Sequence, residues 1–86
     1  MNKIVLTLNM FDYKQKILII KDGKEEYKET TLSNIAQDLY QIAKDVGVDE
    51  IYYGGNVAES FSNVGIANVV AETAYKYDKK LKFIKI

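Results

Sequence analysis

The chain has 86 residues, with twelve lysines balanced by twelve acids and a formal net charge of zero. This length holds one domain, taken as residues 1–86, that buries roughly 60–65% of its unfolded surface; an apolar fraction of 48%, with seven tyrosines and three phenylalanines, belongs to a soluble globular protein. Histidine, arginine, cysteine, tryptophan and proline are missing, which removes Ser-His-Asp sites, thiolate nucleophiles, thiolate-ligated zinc, disulfides, and bidentate guanidinium recognition of phosphate or guanine.

In chain order, "KIVLTLNM" at residues 3–10 is rich in branched side chains and apolar on both faces over "IVLTL", the pattern of a central strand. After the polar "FDYK", the stretch "QKILIIKDGKEEYKE" reads as two strands around Asp22-Gly23. That pair is a hairpin signal, because a type I′ turn needs positive φ at both positions. The charged second arm, "KEEYKE", suits an exposed edge.

From Thr31 to Val46 the apolar residues Leu32, Ile35, Ala36, Leu39, Ile42, Ala43 and Val46 recur at helical spacing. Thr30 or Thr31 is the expected N-cap, and Gly47 the left-handed stop. Residues 49–54 read as a strand, Val57 to about Lys76 as a second helix, and "KLKFIKI" as the last strand. Tyr52 and Tyr53 point to opposite sides of their strand, one expected under each helix layer, and Tyr75 and Tyr77 are expected to cover the sheet near the end of the second helix.

The order is β-β-β-α-β-α-β. Three strands form an antiparallel meander, and right-handed crossovers bring the last two parallel to the first. This element order and these lengths resemble the ribonuclease H-like superfold of ribonuclease H, Holliday-junction resolvases and actin-like ATPase domains. The resemblance covers the whole chain as a pattern, without a diagnostic motif. It implies an α/β (α+β) fold with a five-stranded mixed sheet in the order 3-2-1-4-5 and a helix on each face.

In that topology Asn9, Asp12, Gly54, Gly55 and Asn56 meet where the C-terminal ends of strands one and four lie side by side, the usual ligand position of open sheets. Nucleases that the chain resembles carry an Asp within strand one, an acid near the end of strand four and another on the following helix. Together these hold two metal ions about 3.5–4 Å apart, which requires several carboxylates. Here Asn9 stands in strand one, and strand four ends in Gly54, Gly55 and Asn56. An amide oxygen carries no formal charge and is a weak Mg²⁺ ligand. A nuclease built from this chain would have to use Asp12, Glu59 and Asp38 with Mg²⁺ or Mn²⁺. The actin-like branch places a Gly-rich phosphate loop where this chain has "NMFDYK".

"GGNVAES" therefore reads first as punctuation. Gly54 and Gly55 let the strand turn, while Asn56 and Glu59 match the spacing of a capping box and so occupy the N–H groups an anion would need. Asp38 shares a polar helix face with Asn34, Gln41 and Asp45 and is expected in solvent. Lys76, Lys79, Lys80, Lys82 and Lys85 form a local basic cluster, as cations near a helix C-terminus often do.

The second helix carries apolar residues around more of its circumference than one sheet face covers: Val64, Ile66, Ala67, Val69, Val70, Ala71 and Ala74. With Gly65 inside it, close approach of another backbone is one expectation, with Gly65, Ile66, Val69 and Val70 as the interface candidates; the alternatives are that both faces are buried internally or that Asn63-Val64-Gly65 breaks the helix in two. The expected function is a small non-catalytic interaction module, self-associating through this helix, with no cofactor and without nucleic acid or membrane as partner. No apolar run reaches the roughly 18 residues of a bilayer span, and the chain is expected in the cytoplasm. The alternatives are a divergent metal-dependent nuclease and a small-molecule binder at the crevice of Asn9, Gly54, Gly55 and Asn56.

Overall fold

The computed structural model describes residues 2–7, 14–31, 33–54 and 59–86, with the backbone alone at 14 and 59–64. The elements are β1 (Lys3–Thr7), β2 (Lys14–Lys21), β3 (Lys24–Thr31), α1 (Ile35–Val46), β4 (Glu50–Tyr53), α2 (Glu59–Tyr77) and β5 (Lys82–Lys85). They build a five-stranded mixed sheet in the order β3-β2-β1-β4-β5, antiparallel through β1, β2 and β3 and parallel from β1 to β5. Element order and strand order are those of the ribonuclease H-like expectation. Among the described residues, no helix is long and apolar enough to cross a membrane.

The local chemistry of the hairpin holds as read. Asp22 and Gly23 have φ of 53° and 80°, the paired positive values of a type I′ turn, and Lys21 faces Lys24 across it. Gly47 ends α1 with φ 79° and donates its N–H to the Ala43 carbonyl. Asn2 then ties the two ends together. Its side-chain nitrogen donates to the Val46 carbonyl at 3.2 Å, and its oxygen accepts from the Asp22 N–H at 3.0 Å.

The start of α1 differs from the sequence expectation. Thr30 and Thr31 are not its N-cap but the last residues of β3, paired with Gln15 and Lys14. The cap position is Asn34, which makes no side-chain capping bond. Helical periodicity marks which residues face the core but not where the ladder of a preceding strand releases the chain, and two more pairs of β3 displaced the helix start by one turn.

The placement of the helices is a second correction. They do not lie on opposite faces: α1 and α2 pack against each other on the same side of the sheet, and the rings of Tyr40 and Tyr77 stack with centroids 4.2 Å apart. The reason is topological. From β3 to β4 and from β4 to β5 the chain crosses in the same direction along the sheet, and two right-handed crossovers in one direction put both helices on one face.

The core consequently occupies one side. Ile4, Leu6, Ile17 and Ile51 from the sheet meet Ile35, Ala36, Leu39, Ile42, Ala43 and Val46 of α1 and Val69 of α2, with Leu81 closing the edge. Tyr53 and Phe83 pack against this cluster from the same face. Tyr52 lies on the other face, under the ammonium of Lys3 at 4.5 Å, so it meets no helix layer.

Candidate functional site

The C-terminal ends of β1 and β4 are neighbours, with Leu6 paired to Tyr53, so the crevice where open sheets bind ligands opens at these ends. Gly54 stands at its rim. Asn9, Asp12, Gly55 and Asn56 lie outside the described residues, as does the capping pair that Asn56 would form; Glu59 opens α2, and its side chain lies outside them too. Gly54 has no left-handed φ, and among the described residues a Cβ built on it meets nothing within 4 Å. On neither ground does position 54 itself require glycine; the turn that Gly54 and Gly55 were expected to allow lies outside the described residues.

Asp38 is not a solvated surface acid. Its carboxylate accepts the Thr30 hydroxyl proton at 2.5 Å and has the Lys28 ammonium at 3.8 Å. Thr30 is 5% exposed and lies beside the fully buried Gln15. β2 and β3 thus bring polar groups inside at the end of the sheet where α1 begins, and Asp38 in the first turn of α1 satisfies the hydroxyl. An acid in the first turn also meets the positive end of the helix dipole. This arrangement lies over β3, two strands away from β1, and holds Asp38 outside the β1/β4 crevice. Reading α1 as one polar and one apolar face missed it; the buried parity of Gln15 and Thr30 on paired strands was the available signal.

Among the described residues, no group of three or more Asp or Glu side chains is arranged to hold a metal ion. A nuclease centre of Asp12, Glu59 and Asp38 would have to draw its third acid away from Thr30 and Lys28.

The basic cluster is divided. Lys76 pairs with Glu72 at 2.8 Å, and the hydrogen bond and charge of Glu72 raise its pKa above the ordinary lysine value. Lys79 pairs with Asp49. Lys82 and Lys85 are an odd number of positions apart on β5 and leave opposite faces of the sheet. The sequence cluster therefore does not become one cationic patch.

On α2 the inward row is Val69, Thr73 and Tyr77. Val69 is 7% exposed and belongs to the core, Thr73 is fully buried, and Tyr77 stacks on Tyr40. Of the four interface candidates, Val69 is thus used internally, while Gly65, Ile66 and Val70 remain partly accessible. The outer row is Ala67, Ala71 and Tyr75, and Tyr75 is 90% exposed. Tyr77 reaches α1 rather than the sheet, and Tyr75 covers nothing.

No family model matches this chain, and no curated protein is similar to it in sequence. Among the solved structures similar in fold are two from Pseudomonas aeruginosa. One is YeaZ from Pseudomonas aeruginosa, and the other an uncharacterized protein from Pseudomonas aeruginosa with similarity to peptidase YEAZ. Both have a TM-score of 0.48 and 14% identity and match 96% of this chain. The chain spans 44% and 43% of their respective lengths.

Proposed function

We propose that this chain is a protein-interaction module without catalysis of its own, one that keeps a ribonuclease H-like architecture and self-associates through the outer side of α2. The observation that carries this reading is the exposed row Ala67, Ala71 and Tyr75, flanked by the partly exposed Ile66 and Val70. These positions lie four residues apart, so they form one stripe along the helix. A twofold axis at Ala71 that sets two α2 helices antiparallel places Tyr75 of one copy over Ala67 of the other, a large side chain over a small one. An exposed tyrosine at the end of a strip of alanines is a shape that an identical helix complements. Burial of aromatic anchors in such a contact supplies most of the energy of many interfaces.

Sedimentation velocity across the micromolar range tests it. The reading expects concentration-dependent mass that falls in the Ala71→Glu, Tyr75→Glu double variant, whose substitutions are both at exposed positions. Equal masses for the two proteins would remove α2 as the contact. Thermal-shift and cleavage assays on the same samples separate the other classes. Mg²⁺- or Mn²⁺-dependent cutting of labelled duplex or hybrid would make the chain a nuclease, and stabilisation by a nucleotide or metabolite without metal would make it a small-molecule binder at the β1/β4 crevice.

A further inference from the structure

The face of the sheet that carries no helix is apolar in one continuous row. Strand register puts Tyr27, Leu18, Val5, Tyr52 and Ile84 side by side, one residue from each of β3, β2, β1, β4 and β5. Tyr27 is 65% exposed, and the other four are partly exposed. Ile20 adds to the row from β2, and Ile86, 68% exposed, extends it past the end of β5. Among the described residues, no element packs on this face. The strands that border it differ in charge: β3 turns Glu25 and Glu29 to this side, and β5 turns Lys82.

We propose that this face is a contact with a second copy of the chain, two sheets packed face to face about a twofold axis parallel to β1. The axis reverses the strand order of one copy over the other. Val5 then meets Val5 of the second copy, Leu18 meets Tyr52, and Tyr27 meets Ile84, so every aromatic side chain is set against an aliphatic one. The same axis lays the acidic β3 over the basic β5. Glu25 and Lys82 occupy the same level of the sheet, since Glu25 pairs with Ile20, Ile20 with Lys3, and Lys82 with Glu50, and Lys3 and Glu50 each precede the paired Val5 and Tyr52 by two residues. Each Glu25 therefore faces a Lys82 of the second copy. The proposed axis also sets Lys3 against Lys3 of the second copy, a like-charge contact that the two Glu25–Lys82 pairs outweigh; a twofold running across the strands sets β3 on β3 and Glu25 against Glu29 with no opposite-charge pair in return, which disfavours it.

The size fits a modest interface. Five strands at about 4.8 Å and three rows of alternate residues at about 6.6 Å give a patch of roughly 20 by 15 Å. Two such patches come to roughly 600 Å² in total, below the ~1,000 Å² of stable specific interfaces and in the range of a weak, transient contact. α2 lies on the opposite side of the sheet, so this contact and the α2 contact are compatible in one molecule and together build an open chain of copies.

This inference rests on the reading of the chain as an interaction module but uses a different surface, and the two are tested apart. In the Ala71→Glu, Tyr75→Glu background, which silences α2, sedimentation should still show a concentration-dependent dimer. Leu18→Lys in that background should abolish it. Glu25→Lys or Lys82→Glu alone should weaken the dimer about three- to tenfold, and the two together should restore it, because the swapped charges again face each other. A monomer at all concentrations in the α2-silenced background, or a double swap weaker than either single change, would overturn the proposal. Should Leu18→Lys fail to fold by circular dichroism, the charge-swap series decides alone. Conversely, the α2 contact is read as loss of mass when Ala71→Glu and Tyr75→Glu are added to Leu18→Lys.

Discussion

Tyr40 of α1 and Tyr77 of α2 stack with their rings 8° from parallel and centroids 4.2 Å apart, joining the two helices near the end of α2. The pair exists only because both crossovers place their helices on one face. An aromatic pair contributes about 0.5–1.5 kcal/mol beyond the area it buries. A double-mutant cycle of Tyr40→Ala and Tyr77→Ala, followed by urea denaturation, should return a coupling of that size. Additive losses would mean that the helices do not share a face.

Two buried threonines make opposite predictions. Thr73 is fully buried, and its hydroxyl donates to the carbonyls of Val69 and Val70 in its own helix, at 3.0 and 3.1 Å. Those carbonyls can accept helical N–H groups, so the hydroxyl is satisfied without being needed. Thr73→Val should change stability by less than about 1 kcal/mol. Thr30 instead gives its proton to Asp38. Thr30→Val removes that donor from a largely buried carboxylate and should cost about 1–3 kcal/mol, read as a lowered urea midpoint at unchanged slope. Equal costs for the two would contradict the role assigned to Asp38.

Glycine matters at Gly47 and not at Gly54. Gly47→Ala forces a Cβ into the left-handed region at φ 79° and should destabilise by about 1 kcal/mol, although nothing crowds the site. Gly54→Ala meets no strain and, among the described residues, no neighbours, and should leave stability within about 0.5 kcal/mol. Thermal melts of the two variants side by side check the difference.

Much of the fold was legible in local pattern. The apolar residues on both faces of "IVLTL" marked β1 as central, the charges of "KEEYKE" marked β3 as an edge, and the Asp22-Gly23 dipeptide specified its turn, because backbone sterics and strand parity act over a few residues. The α1 stripe from Ile35 to Val46 predicted the core that now holds it. The candidate site was less legible: Asp38 shares its helix face with Asn34, Gln41 and Asp45, and nothing local distinguishes it from those polar neighbours.

What the sequence by itself determined was therefore composition and periodicity: which strands are central and which is an edge. Tertiary structure alone decided that α1 and α2 share a face, that Thr30 reaches Asp38, that Val69 turns inward while Tyr75 turns out, and that one apolar row crosses five strands with no cover among the described residues. Each of these relates residues far apart in the chain. The direction of a crossover and the register of a strand set such pairs, and no window of neighbouring residues encodes either one.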